Sequence, residues 1–316
     1  MFFLSWNPDL SPLRNLPGES NISLRQLDIL AKGFFCLTEK NIYPFTRDRC
    51  YGRPHLSVVS PRGPISHETH NLALETNDWS ALVLSLILAE SSIELVPNEL
   101  VDHPSILHWA QRKRRDPHSL ILDQTYHHSA ILRLGPRGIG RGRPDIAHLS
   151  LLLALGSPLN LTGGLRCYVH TRDNNIINVD SKARLPRNTD RFTSLLEQLY
   201  QEKAVPPTGR PLMSIKPGSL GDLLSETSGA VTALTTNGLP KRMDEVASRL
   251  AEQRAPVLLV GGFPRGHFSE DALSRVKESY RIHDQGLEAW TVVARAIYDY
   301  ERATALRGTF PKTSLM

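Results

Sequence analysis

The stretch Pro256-Val-Leu-Leu-Val-Gly-Gly-Phe-Pro-Arg-Gly266 decides the fold. Four consecutive apolar residues after a proline make a short strand buried on both faces, and glycines follow at once at its carboxyl end. Open α/β sheets bind their ligands at that end of the strands. The glycine spacing is not a dinucleotide fingerprint, and no acidic ribose ligand stands about 20 residues further on. A tight turn that needs positive φ would use the same glycines.

Outward from this strand, apolar runs of strand size alternate with helical patterns. Strands are expected at residues 82–88, 120–123, 165–170, 212–215, 230–234, 256–260 and 280–282. Helices are expected at 100–113, 146–155, 192–202, 243–253, 271–279 and 287–302. Leu195, Leu196 and Leu199 share one face of the third helix, and Trp290, Val293, Ala294 and Ile297 are expected inward in the last. This alternation argues for the α/β class with a mostly parallel sheet. Residues 1–78 read differently: a partial apolar stripe suggests one helix at 23–35, and turn formers fill 47–76. They are expected to be a disordered or weakly ordered extension ahead of one domain at 79–316.

The 316 residues suffice for one large domain or two modest ones. Hydrophobic residues make up 40% and charged residues 22%, an ordinary globular balance, and the net charge of +5 suits an anionic partner without requiring one. Cys36, Cys50 and Cys167 are too far apart for a disulfide framework or a zinc pattern, so a reducing, cytoplasmic location is expected. Met1-Phe-Phe-Leu-Ser-Trp6 runs straight into Asn7-Pro8, unlike a signal peptide. No apolar run approaches the roughly 20 residues needed to cross a bilayer, and no membrane partner is expected.

Three stretches carry arginine or hydrogen-bonding side chains beside glycine or proline: Gly140-Arg-Gly-Arg-Pro-Asp145, Ser157-Pro-Leu-Asn160 and Arg184-Leu-Pro-Arg187-Asn-Thr-Asp-Arg191. Such loops present fixed charge outward, and guanidinium binds phosphate through two parallel hydrogen bonds. Gly138 to Gly142 lacks the strand and the Gly-Lys-Ser/Thr ending of a nucleotide loop and reads as a flexible arginine-bearing loop. Arg184, Arg187 and Arg191 share a face if the chain turns helical after Pro186, and Asp190 alone does not neutralise three cations. Arg112-Lys-Arg-Arg115 reads as a solvated helix end. His127-His128, placed on a strand, would face opposite ways, so no metal is expected there. His170 reads as a hydrogen-bonded structural histidine.

Taken in order, Leu88-Ala-Glu90, Leu122-Asp123 with His127-His128, Gly142-Arg-Pro-Asp145, Ser157-Pro-Leu-Asn160, Arg184-x-Pro-Arg187 with Arg191-Phe192, Gly261-Gly-Phe-Pro-Arg-Gly266 and Leu287-Glu-Ala-Trp-Thr-Val292 form one pattern. It resembles the SPOUT-class methyltransferases, archaeal-like, that modify N1 of a pseudouridine in small-subunit ribosomal RNA and serve ribosome assembly. The resemblance spans about 81–306, and residues 1–78 have no counterpart in it.

The resemblance implies a C-terminal deep trefoil knot, a homodimer and contact with ribosomal assembly proteins. It implies S-adenosylmethionine held by Gly261, Gly266 and the loop Ile282, His283, Asp284, Gln285, Gly286 and Leu287, with the turn after Leu234 as a lesser contact. The spacing before Leu287 departs from the pattern by about a residue. Arg143 and Asp145 would be catalytic, and Arg143, Arg184, Arg187 and Arg191 would bind RNA. A non-catalytic RNA-binding assembly factor of the same fold and a tRNA methyltransferase of the same class are the alternatives.

Overall fold

The computed structural model describes residues 35–38, 41–44, 83–227 and 229–306. The chain divides into two units, Met1–Leu72 and Ala73–Met316. In the first, β1 (Phe35–Thr38) and β2 (Asn41–Pro44) pair antiparallel, with Phe35 opposite Pro44. Phe35 thus opens a strand rather than ending a helix. The rest of the helix expected at 23–35, and the turn-rich stretch 47–76, lie outside the described residues.

In the second unit one eight-stranded sheet is built from β3 (Leu84–Ser91), β4 (Leu165–Thr171), β5 (Asn175–Val179), β6 (Ala204–Val205), β7 (Met213–Pro217), β8 (Val231–Pro240), β9 (Val257–Gly261) and β10 (Glu278–Arg281). The spatial order is β10-β8-β9-β3-β4-β5-β7-β6. Neighbours from β10 to β4 run parallel. The remaining strands extend the sheet antiparallel. Leu84, Leu86 and Leu88 of β3 and Leu258 and Val260 of β9 enter one core, while Ile87, Ala89, Val257 and Leu259 enter the other. Burial on both faces is why these strands read as unbroken apolar runs. Strand β5 carries a weak sequence signal because Asn175 and Asn178 dilute its apolar pattern.

Helices α1 (Pro104–Lys113) and α2 (Gln124–Leu132) close a satellite core around Leu100, Leu120 and Leu122. On the larger face of the sheet lie α3 (Pro144–Leu155), α4 (Pro158–Leu161) and α5 (Thr189–Glu202). The opposite face takes α6 (Leu220–Glu226), which a Ser219–Asp222 capping box starts. Helix α7 (Met243–Glu252) returns to the larger face, α8 (Glu270–Ser274) to the smaller, and α9 (Ala289–Leu306) packs on α3 and α7.

Several expectations need correction. Residues 120–123 are not a strand of the sheet; an isolated bridge joins Leu95 and Ile121. Leu120 and Leu122 enter the satellite core and Ile121 the main one, so burial on alternate sides imitates a buried strand. The helix expected at 271–279 ends at Ser274, and Glu278 already belongs to β10. In α9 the inward stripe is Val293, Ala296, Ile297 and Tyr300. Ala294 is exposed, because one residue of helix rotates it about 100° from Val293.

His127 and His128 sit on α2, not on a strand. His127 is fully buried; its Nδ1 accepts the Asp123 N–H at 3.0 Å, and Nε2 has no partner. Burial, with a smaller push from Lys113, lowers its pKa from 6.5 to about 4. A histidine held neutral by the fold stabilises it fully above the unfolded pKa and ceases to do so as pH falls through the folded value. Between pH 6.5 and about 4 this group should remove about 3 kcal/mol of stability. Urea midpoints measured across that window should fall less steeply in His127→Leu than in the parent. Parallel curves would exclude His127 as the cause.

Candidate active site

At the carboxyl ends of β8, β9 and β10 three connections enclose a cavity of about 360 Å³. Small-molecule sites span roughly 300–1,000 Å³. The first wall is a bulge. Pairing of β10 with β8 jumps from Ala233 opposite Ser279 to Leu239 opposite Tyr280, while Leu234 stays paired with Val260 of β9, so residues 235–238 bulge and Leu234, Thr235 and Thr236 face the cavity. The second is the glycine loop after β9, which supplies Gly261, Phe263 and Gly266. Gly266 has φ +106, whereas Gly262 is needed for close approach, since a Cβ there would collide with the Ser91 side chain. The third runs from Ile282 through Glu288 into α9.

Gly261, Gly266, Ile282, His283, Gln285, Gly286 and Leu287 all line the cavity. Asp284 does not; its carboxylate, 94% exposed, lies 3.8 Å from the Arg281 guanidinium. This loop turns on itself through His283 Nδ1, which accepts the Gln285 N–H at 3.1 Å, and that reversal carries Asp284 outward.

Beside the cavity stands the Gly140–Asp145 turn. Arg143 precedes α3, and Asp145 lies in its first turn, where a carboxylate suits the helix dipole. Arg143 donates from Nε and Nη2 to the two oxygens of Asp145, both at 2.8 Å. Asp145 hydrogen bonding first, then the Asp145, Glu288 and Asp123 charges, hold the guanidinium pKa above its ordinary value, against burial. Ile146, next along α3, and Glu288 both line the cavity, so the ion pair sits at its rim.

The turn is stiff rather than flexible. Gly140 and Gly142 have φ of +76 and +67. Ser92 ties it to the cavity: its N–H donates to Gly262 O at 2.9 Å, its carbonyl accepts Arg143 N–H at 3.1 Å, and its hydroxyl donates to Gly140 O. Gln124 N–H donates to Gly142 O at 2.8 Å. Arg141, expected to face outward, turns in and grips the buried Glu94 through Nε and Nη2.

Arg184, Arg187 and Arg191 are exposed and carry no ion pair among the described residues. They do not share a helical face, because α5 starts only at Thr189, capped by Asn188, which accepts the Arg191 N–H at 3.0 Å. The loop is held from beneath. His148 Nε2 lies 2.6 Å from Pro186 O, and its ring stacks on Phe192 at 4.4 Å. Asn160 donates to Leu155 O and Ser181 O at 2.8 and 2.9 Å. The hydrogen-bonding side chains of Ser157-Pro-Leu-Asn160 therefore point inward: Ser157 caps α4, Asn160 is 4% exposed, and the motif braces the arginine loop, leaving only Pro158 exposed.

The model of the EMG1/NEP1 methyltransferases matches residues 86–301. The chain belongs to the EMG1/NEP1 methyltransferase family. It is 43% identical over 222 residues to the ribosomal RNA small subunit methyltransferase Nep1 of Pyrococcus furiosus, covering 69% of this chain and 96% of that protein. The Thermococcus kodakarensis Nep1 is 41% identical over 225 residues, covering 71% and 100%. Archaeoglobus fulgidus Nep1, solved with S-adenosylhomocysteine, superposes with a TM-score of 0.62 at 30% identity, covering 71% of this chain and 99% of that one.

In this EMG1/NEP1 chain the matched span begins inside β3 and ends inside α9, and it contains the cavity, the Arg143–Asp145 pair and the arginine loop. Sequence reasoning missed Ser92 and Glu288. The Ser91-Ser92 pair directly after a buried strand is a signal for Ser92, but its partners lie some 50 and 170 positions away and carry no local mark. Glu90, in the Leu88-Ala-Glu90 motif, closes the glycine loop. Its carboxylate accepts the Ser269 N–H at 3.1 Å and thereby anchors the far end of the glycine loop.

Proposed function

We propose that this chain transfers a methyl group from S-adenosylmethionine to N1 of a pseudouridine in small-subunit ribosomal RNA and takes part in small-subunit assembly. The observation that carries this reading is the clasp at Ser92, which ties the glycine loop of the cavity and the Arg143 turn to one residue. Relatives named as small-subunit rRNA methyltransferases, one of them solved with S-adenosylhomocysteine, support the donor and the RNA class.

The residues present suit the donor. The cavity offers apolar walls from Leu234, Val260 and Phe263, with Thr236, Gln285 and Glu288 as polar groups. Gly261, Gly266, Ile282, His283, Gln285, Gly286 and Leu287 would hold the nucleoside largely through backbone groups; Asp284 is left out of this set. When bound, the donor supplies an electrophilic methyl carbon on a sulfonium sulfur. N1 of pseudouridine carries an imide-like proton, and charge builds on the neighbouring carbonyl oxygen as that proton leaves. Arg143, fixed and fully charged, would stabilise this charge. Asp145, with both oxygens on Arg143, orients it and keeps lone pairs free to accept the proton. Arg184, Arg187 and Arg191 would hold phosphates.

The same reading includes a cytoplasmic location, a methyltransferase domain at 79–316 and a trefoil-knotted path through the three cavity loops. It also includes a homodimer, supported by the exposed Leu149 and Leu153, one turn apart on α3 at 40% and 44%, and by Leu161 on α4 at 78%.

Labelled S-adenosylmethionine and a short small-subunit rRNA hairpin carrying either uridine or pseudouridine test the reaction. Transfer to the pseudouridine hairpin alone is expected; binding without transfer would leave a non-catalytic assembly factor. Alanine at Arg184, Arg187 or Arg191 should each weaken RNA binding and reduce the slope of log affinity against log salt by about 0.7 to 0.9. An unaltered slope removes that residue from the phosphate contacts.

A further inference from the structure

The basic run Arg112-Lys-Arg-Arg115 at the end of α1 is not one solvated face. Lys113 donates to both oxygens of Glu197 at 2.9 and 3.1 Å, and Arg115 lies 3.8 Å from the same carboxylate, whose side chain is fully buried. Among the described residues, Arg112 and Arg114 have no carboxylate partner, and both are exposed.

Their positions are fixed. Arg112 lies over the Trp109 ring, 5.3 Å from its centroid. Trp109 stacks on Tyr126 at 3.6 Å with 13° between the planes. The Tyr126 hydroxyl in turn donates to Asp190 Oδ1 at 2.6 Å. Arg114 holds the left-handed C-cap of α1, with φ +53. Asp190 and Glu197 are seven residues apart on α5, two helical turns, and so mark one face. The end of α1 therefore lies along the α5 face that Asp190 and Glu197 mark, and Arg191 directly follows Asp190 in the first turn of that helix.

We infer that Arg112 and Arg114, braced by the Trp109–Tyr126 stack, continue the arginine loop as a second phosphate-binding tract for the RNA strand flanking the target nucleotide. This inference rests on the RNA reading given above. The Trp109–Tyr126–Asp190 chain links the end of α1 to the first turn of α5, and exposed guanidinium groups without carboxylate partners on both elements favour a polyanion that spans them, which a polyphosphate backbone is. Stacking on Trp109 keeps the Arg112 fork ordered before binding, so less side-chain freedom is lost on contact.

The test uses the full chain and an rRNA hairpin with its flanking stem, titrated across a series of salt concentrations. The double variant Arg112→Ala/Arg114→Ala should bind more weakly and reduce the log–log salt slope by about 1.5, with an unchanged thermal midpoint. Tryptophan emission should change on RNA binding in the parent and lose that change in Trp109→Phe. A parent that binds with a steep salt slope, matched by the double variant, overturns the inference and leaves the RNA reading standing. A parent with no salt-dependent binding overturns the RNA reading itself.

Discussion

Arg143→Ala is expected to slow methyl transfer at saturating donor and RNA by about 10²–10³-fold, the effect of deleting one preorganised donor to a developing oxyanion. The backbone of the turn is held without this side chain, through Ser92, Gln124 and the φ values of Gly140 and Gly142. S-adenosylmethionine affinity, read by calorimetry, should therefore stay at the parent value. The side chains of Arg143 and Asp145 are 30% and 33% exposed, so the lost ion pair should cost no more than about 1 kcal/mol of stability. The signature is a fall in kcat with the donor-binding constant intact. Parent-level turnover would exclude Arg143 from the chemistry, and a parallel loss of donor binding would mark it as a structural support of the cavity.

Arg141→Ala should have the largest effect on stability, although Arg141 lies two residues from Arg143 in one turn. Its side chain is 12% exposed and is paired on both nitrogens with Glu94, itself 5% exposed. Truncation leaves a buried carboxylate without its cation, at a cost of about 3–5 kcal/mol. Chemical denaturation should show the lower midpoint with an unchanged m-value. Adding Glu94→Gln to the variant should recover part of the loss, because the orphaned group is then neutral. The RNA salt slope should not move, since this guanidinium is occupied inside the protein. A stable Arg141→Ala protein with a reduced slope would mean that Arg141, too, faces phosphate.

The two arginines show why the site was only partly legible. Both sit beside glycine or proline in Gly140-Arg-Gly-Arg-Pro-Asp145, and the local sequence gives them the same reading. What separates them is Glu94, almost fifty positions away, which takes one guanidinium inward. Ser157-Pro-Leu-Asn160 changed more. Its polar residues beside proline read as an outward loop, yet Asn160 donates its amide to two carbonyls and supports the arginine loop from below. The strand at 120–123 failed for a related reason: alternating burial between two separate cores has the same period as a pleated strand.

By itself the sequence determined the α/β class, the parallel centre of the sheet and the glycine loop that closes β9. Strands buried on both faces must be apolar throughout, and a chain passing hard against Ser91 must be glycine; each demand leaves its record in the residue type itself. The tertiary structure alone decided the antiparallel extension, the bulge after Leu234, and which arginine stays free. Each of these depends on a partner distant in sequence: β10 for the bulge, Glu94 for Arg141, Glu197 for Lys113 and Asp145 within reach of a cavity built by three other loops. Charge and hydrogen bonding are settled pair by pair, and a sequence records the residues but not the pairs.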